Sequence, residues 1–211
     1  MARARSPARE GSGVPKIQAA TVVEHHAAQR AALLDAARAI LSEGPTAEAP
    51  SLADVAARAG LARSSAYSYF GSREDLLDAL AADTFPRWAR YVRDRMARQR
   101  TPGEKVLAYV DANVHLVARG DHALMMTLAS ITRPEAVATP THALHDELRT
   151  PLVGALREHG AGDPERMAEL VQALVFAVSR LVSEGTAERR ARALAHELLG
   201  PYLRAEGPGE A

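Results

Sequence analysis

Three polar side chains in one short segment have the chemistry needed to read DNA bases. Arg63, Ser64 and Ser65 lie within SLADVAARAGLARSSAYSYF (51–70). Arginine can donate two hydrogen bonds to O6 and N7 of guanine, and small serines allow a helix to enter a major groove closely. A helical hairpin with a solvated polar face has the same residue types. Chemistry alone therefore leaves both interpretations open.

A second group of polar side chains has the spacing of a metal site. His142, His145 and Asp146 stand at i, i+3 and i+4, so one helix face would carry two ring nitrogens and a carboxylate. A plain polar face has the same pattern. The chain has no cysteine, and we find no glycine-rich phosphate loop or nucleophile elbow. We therefore expect no enzyme, no metal site and no cofactor. A helical metal-binding protein or enzyme that uses His142 and His145 is the alternative.

Composition favours helices and says little about partners. The 211 residues suffice for one large domain or two modest ones, and only 4% are aromatic. Lys and Arg balance Asp and Glu at 26 each, but residues 1–100 hold fifteen basic and eleven acidic residues. This weak polarity would direct the first half toward phosphates. No apolar run is long enough to span a membrane, and no secretory signal is present, so we expect a cytoplasmic protein without a membrane partner.

The apolar spacing predicts an all-α chain of about nine helices. Residues 1–20 are expected to be a flexible basic arm, and residues 206–211 a disordered tail. Pro86 is expected to kink the long fourth helix, and Thr139-Pro140 to separate two later ones. The helices are predicted from Thr21 or His25 to Ser42, and over 52–59, 62–69, 73–98, 104–119, 122–131, 140–159, 163–184 and 186–204.

The segment 51–70 has the pattern of two short helices joined by a tight turn. Ser51 can cap the first helix, whose buried stripe is predicted to be Leu52, Val55 and Ala56. Gly60 allows the turn, and Leu61 fills the angle between the helices. Ala66 and Phe70 are predicted to be buried on the second helix. Its outward side chains are then Arg63, Ser64, Ser65 and Ser68.

This pattern resembles the tetracycline-repressor (TetR) family of regulators. The resemblance is strong across residues 30–80 and faint elsewhere, and it rests on Val55-Ala56, Gly60-Leu61, Tyr67, Tyr69-Phe70, Arg73 and Leu76-Leu77. It implies that residues 62–69 are a recognition helix with Arg63, Ser64 and Ser65 as base readers. It also implies phosphate contacts by four further residues: Ser51, Tyr67, Tyr69 and Arg73. Ala66 departs from the family, which often has a larger aliphatic there.

The resemblance implies two domains and two further sites. Residues 21–80 would form the helix-turn-helix DNA-binding domain, and residues 81–205 a helical domain for effector binding and dimerisation. Large and polar side chains that could line an effector pocket are Trp88, Tyr91, Tyr109, Asn113, Met125, Met126 and Phe176. Apolar side chains on the last two helices that would form a dimer interface are Leu174, Val178, Leu181, Leu194, Leu198 and Tyr202. Ordinary core packing within one chain is the alternative for both sets.

The implied function is that of a homodimeric repressor. Its two recognition helices would occupy successive major grooves of a pseudo-palindromic operator in double-stranded DNA. A small apolar or aromatic effector of unknown identity would release it. A ligand-independent DNA-binding activator is the alternative within the same class of protein.

Overall fold

A computed structural model of the chain describes residues 17–43 and 49–204, and every regular element in these ranges is an α-helix. The predicted all-α class is therefore confirmed. The described elements, in chain order, are α1 (Ile17–Ser42), α2 (Leu52–Arg58), α3 (Arg63–Tyr69), α4 (Arg73–Ala97), α5 (Pro102–Ala118), α6 (Asp121–Ile131), α7 (Pro134–Glu158), α8 (Pro164–Ser183) and α9 (Glu188–Arg204).

Two helices begin more than two residues away from the predicted position. Helix α1 already begins at Ile17, so residues 17–20 are helical and not part of a flexible arm. The rest of the predicted arm and the tail at 206–211 lie outside the described residues. Helix α7 begins at Pro134 and continues through Pro140, so the break predicted at Thr139-Pro140 is wrong. Proline fits the first turn of a helix, and Pro134 supplies that start. The packing of α7 against α4 and α5 then offsets the cost of Pro140.

Side-chain hydrogen bonds cap the first turns of α2 and α4. Ser51 and Asp54 form a reciprocal capping box at α2, with the Ser51 hydroxyl oxygen accepting from the Asp54 amide at 3.2 Å. Ser72 accepts from the Asp75 amide at 3.0 Å and so caps α4. These bonds satisfy amides that have no partner within their helix. The ends of the helix-turn-helix are therefore defined locally.

Two separate hydrophobic clusters meet along α4. The first packs α1, α2, α3 and α4 up to Leu80, and the second starts at Ala81 and joins the rest of α4 to α5, α7, α8 and α9. Helix α6 reaches both, because Leu124 and Leu128 are buried in the first cluster while Met125 packs against the second. Helices α4 and α6 therefore connect the two packed units. None of the helices in the described ranges is long and apolar enough to cross a membrane.

Candidate nucleic-acid interface and internal cavity

A tight turn at Gly60 sets the angle between α2 and α3. Gly60 has φ of 69°, in the left-handed region that glycine adopts without strain. The chain reverses there, and the Leu61 amide donates to the Ala56 carbonyl at 2.9 Å. Leu61 is half-buried against the first cluster. The turn therefore holds α3 across α2 as the sequence pattern predicts.

Helix α3 has one buried side and one exposed side. Ala66 is completely buried, and Phe70 is 3% exposed just after the helix. Arg63, Ser64 and Ser68 are exposed on the opposite side. Ser65 is only half-buried, so it lies between the two sides. The small Ala66 lets α3 lie close to the helices beneath it, which makes the polar side the part of α3 that projects outward.

Arg63 and Tyr67 form a pair on the exposed side of α3. The guanidinium donates to the Tyr67 hydroxyl at 3.3 Å and also lies 5.5 Å from the centre of its ring. The hydroxyl, as acceptor, raises the pKa of Arg63 above its usual value. Two of the predicted DNA-binding side chains are thus brought together, one helical turn apart.

Tyr69 faces α1 instead of projecting from α3. Its hydroxyl donates to Gln29 Oε1 at 2.7 Å, and its ring lies 4.4 Å from the ring of His26. The hydroxyl thus links α3 to α1, and its phosphate contact stays a prediction. The partners Gln29 and His26 were not foreseen, because polar residues on an exposed helix carry no periodic signal that points to them.

Ser51 and Arg73 flank α2 and α3. The Ser51 hydroxyl donates to Asp54 Oδ2 at 2.6 Å, and this bond, with the one from the Ser51 amide, lowers the pKa of the Asp54 carboxyl. Arg73 donates to the Ala49 carbonyl at 3.3 Å and therefore ties the start of α4 to the segment before α2. Both side chains remain largely exposed, as a phosphate contact requires.

A cavity of about 520 Å³, open to solvent on one side, lies among α4, α5, α6, α7 and α8. Its walls include six of the seven predicted pocket residues: Trp88, Tyr109, Asn113, Met125, Met126 and Phe176. The seventh, Tyr91, is not among them; its ring stacks on His115 at 5.7 Å. The volume lies in the range of ordinary ligand pockets.

Other residues that line the cavity were not predicted from the sequence. Leu144 and Leu148 are buried apolar walls, while His122, His145 and Arg180 add basic groups. The apolar ones have ordinary core spacing, and the basic ones look like surface residues, so nothing in the sequence distinguishes them.

Hydrogen bonds fix the polar floor of the cavity. The Trp88 indole donates to Asn113 Oδ1 at 2.9 Å, and the Asn113 amide donates to the Tyr109 carbonyl at 2.8 Å. Burial raises the pKa of Tyr109 to about 12. Its side chain is 1% exposed, and no described residue bonds its hydroxyl. The floor is thus rigid at Trp88 and Asn113, with one free hydroxyl at Tyr109.

The candidate metal ligands on α7 are not joined by further ligands. His142, His145 and Asp146 are exposed. Across the part of the chain that the structure describes, no group of three or more His, Asp or Glu side chains could hold an ion. His145 instead contributes to the cavity wall.

Helices α8 and α9 expose apolar side chains. Leu170 is 65% and Leu198 is 67% exposed, and three predicted interface residues are half-buried: Leu174, Leu181 and Leu194. Val178 differs, because it is 3% exposed and lies in the core of its own chain, out of reach of a partner. The half-buried Tyr202 ring makes an edge-on contact with His159 at 5.2 Å. We call the exposed and half-buried leucines on these two helices the α8–α9 apolar face: Leu170, Leu174, Leu181, Leu194 and Leu198.

These observations define a class of protein. It is all-helical, with an amino-terminal helix-turn-helix and a second helical unit that contains a cavity. Residues 33–80 match the family model of bacterial regulatory proteins, tetR family. A stretch of 52 residues of the chain is 50% identical to the HTH-type transcriptional repressor LfrR of Mycolicibacterium smegmatis. The match covers 25% of this chain and 26% of LfrR, so it spans about a quarter of that relative's length. The match to the family model confirms the resemblance for residues 33–80.

Solved structures share the fold over most of the chain. The TetR-family regulator PfmR from Thermus thermophilus superposes with a TM-score of 0.58 and 20% identity, over 84% of this chain and 99% of PfmR. The regulator FadR from Bacillus subtilis, in complex with stearoyl-CoA, gives a TM-score of 0.60 and 18% identity, over 82% and 97% of the two chains. At such identities the likeness is one of fold.

Proposed function

We propose that this chain is a homodimeric, sequence-specific DNA-binding repressor that leaves its operator when a small apolar or aromatic molecule enters the cavity. The observation that carries the proposal is the position of α3 within the TetR-family domain. Its buried side is anchored by Ala66 and Phe70, and Arg63 and Tyr67 project from the other side. A short helix held in this way suits the major groove.

Base reading is assigned to Arg63, Ser64 and Ser65, and phosphate contacts to Ser51, Tyr67, Tyr69 and Arg73. Arg63 has the reach and the paired donors to bind guanine O6 and N7. Its contact with Tyr67 holds the guanidinium over α3 before DNA arrives, which lowers the entropy lost on binding. Phosphate contacts fix the register of the helix and carry no sequence information.

Selection of bound DNA from a random library by the full chain tests this function. We expect an enriched pseudo-palindrome, since a C2 dimer presents two copies of α3. Arg63→Ala should relax the enriched sequence at one base position in each half-site. Arg166→Ala changes an exposed arginine on α8 and should preserve it. A parent chain that enriches no sequence would contradict the proposal.

Dimerisation is assigned to the α8–α9 apolar face. Exposed leucines on two adjacent helices leave apolar area in water, and burial against a second copy would remove it.

The relative LfrR is a transcriptional repressor, which agrees with the proposed activity. The direction of regulation depends on where the operator lies, so an activator is the second candidate. A reporter placed behind the selected operator separates the two.

The effector is assigned to the cavity. FadR of Bacillus subtilis is a regulator of the same fold in complex with stearoyl-CoA, a molecule with a long apolar chain. The walls here are mostly apolar and aromatic, with buried Phe85, Trp88 and Leu148 at the inner end. An apolar molecule would be stabilised there by the area it removes from water. No observation favours a catalytic or metal-dependent role for His142 and His145.

A further inference from the structure

The cavity has an uneven distribution of charge. Among the described residues that line it, none is Asp or Glu, while Arg180, His122 and His145 supply basic groups. An apolar ligand needs no such asymmetry. A ligand group of the opposite sign would be attracted to basic groups that share one cavity.

The basic groups lie toward the open side of the cavity. Arg180 and His145 are exposed, as are Met126 and Phe176 beside them. The inner wall is formed by buried Phe85, Trp88, Leu144, Leu148 and Val175. A molecule that fills the cavity would therefore place its apolar part inside and its polar end near Arg180 and His145.

The acidic neighbours of His122 and Arg180 do not cancel the charge of these two residues. Asp121, next to His122 in the chain, is held by Arg119 at 2.7 Å. Glu184 pairs with Arg180 at 3.1 Å, but the two side chains are 56% and 69% exposed. Exposed pairs contribute little free energy, so an anionic ligand can compete with Glu184 for the guanidinium.

We propose that the effector of this cavity is an amphiphilic anion, an apolar body that ends in a carboxylate or similar acidic group, with Arg180 as the residue that selects the charge. The proposal rests on the effector role assigned to the cavity. It adds the sign of the ligand's charge and its orientation, with the acidic group at Arg180 and the apolar body toward Trp88. Cationic amphiphiles of the same size should bind more weakly, because none of the described wall residues is a carboxylate that could pair with them.

Decanoic acid, decanol and decylamine test the charge preference, because they share one apolar body. Trp88 lines the cavity and is the one tryptophan in the sequence, so quenching of its fluorescence reports binding to the full chain. We expect the acid to bind about tenfold more tightly than the alcohol, as a hydrogen bond to a charged group provides. The amine should bind most weakly. Equal binding of the three, or a preference for the amine, overturns the proposal.

Variants at two matched arginines locate the preference. Arg180→Gln should abolish the advantage of acid over alcohol, and Arg180→Lys should retain most of it. Arg166→Gln is the control, because Arg166 is an exposed arginine on the same helix, paired with Glu169 at 3.1 Å. An acid preference that survives Arg180→Gln contradicts the assignment.

DNA selection distinguishes failure of this inference from failure of the proposed function. If none of the three probes quenches Trp88, the proposed ligand class is wrong. An operator enriched by the same preparation would still support the regulator. If no operator is enriched while decanoic acid binds as expected, the ligand class stands and the regulatory function fails.

Discussion

Arg63 is the side chain whose loss should change sequence preference and not merely affinity. Arg63→Ala removes the donors to a guanine edge, and we expect operator binding to weaken by about 1–3 kcal/mol with one base position relaxed in each half-site. Fluorescence anisotropy on the selected operator and on its single-base variants measures both effects. Arg73→Ala, a phosphate contact in this proposal, should weaken every sequence alike and give a shallower salt dependence. Unchanged affinity of Arg63→Ala for the operator would remove α3 from the recognition role.

Burial of the Tyr109 side chain makes the free energy of unfolding depend on pH in the alkaline range. Its pKa is raised from 10.0 to about 12 by burial, whereas in the unfolded chain the phenol ionises near its ordinary value. The unfolded state therefore loses its proton first. The stabilisation from a neutral Tyr109 is complete below pH 10 and lost between about pH 10 and 12, a loss of roughly 2–3 kcal/mol in the free energy of unfolding.

Tyr109→Phe tests this linkage. The phenyl ring fills the same space and cannot ionise, so the variant should lose less stability than the parent over the same pH window. Urea unfolding followed by circular dichroism, at several pH values from about 9 to 12, measures the loss of stability in parent and variant. Equal losses in parent and variant would show that other groups cause the alkaline sensitivity.

At the scale of elements, α4 joins the cavity to the DNA-binding domain. Leu76 and Leu77 are buried in the first cluster, and Trp88 lines the cavity further along the same helix. Two arginines also tie α1 to α4: Arg38 binds Asp83 at 2.6 Å, and Arg87 binds Asp35 at 3.3 Å. A shift of α4 at the cavity would therefore move α1 and α3 together, provided that the helix bends or pivots between them.

Pro86 stands between these two parts of α4. It has no amide hydrogen to donate within the helix, and it is exposed, so Pro86→Ala should restore one bond without disturbing the packing. We expect the free energy of unfolding to rise by about 1–3 kcal/mol. A straighter, stiffer α4 should also raise the concentration of effector that releases the operator. Thermal unfolding and DNA-release titrations measure the two effects.

A proline in another helix provides the control. Pro151 lies within α7, which does not enter the DNA-binding domain. Pro151→Ala should leave the release midpoint near that of the parent, whatever it does to stability. If Pro86→Ala releases DNA at the parent's effector concentration, α4 is not the element that transmits binding.

At the scale of the whole molecule, the α8–α9 apolar face should determine whether the chain is a monomer or a dimer. Leu198→Glu places a carboxylate in the proposed interface. Because a C2 dimer has two copies of the chain, the interface would contain two such carboxylates. We expect the dimer dissociation constant to rise by about a hundredfold or more, with the helical content unchanged. Leu198 suits this test better than half-buried Leu174, whose substitution would also disturb the core.

Val22→Glu is the matched control, because Val22 is also 67% exposed but lies on α1. It should sediment as the parent does. A well-folded dimer of Leu198→Glu at micromolar concentration would place the interface elsewhere.

Local patterns in the sequence determined the helix-turn-helix. Val55, Ala66 and Phe70 are buried as predicted, and Gly60 has the positive φ that its turn requires. Each of these features depends on residues a few positions apart, within the reach of helix periodicity, capping and turn geometry. The family match covers this same region, at residues 33–80.

Only the tertiary structure decided which neighbour covers each apolar side chain in the rest of the molecule. Periodicity identifies the apolar face of a helix, but not the rotation of that helix against its neighbours. For that reason Tyr91 was expected in the cavity and lies outside it, while His145 lies in its wall. Val178 and Leu198 looked alike as interface residues, yet one is buried in its own chain and the other is exposed. Helix α7 passes through Pro140 because packing against distant helices outweighs a local cost that the sequence alone displays.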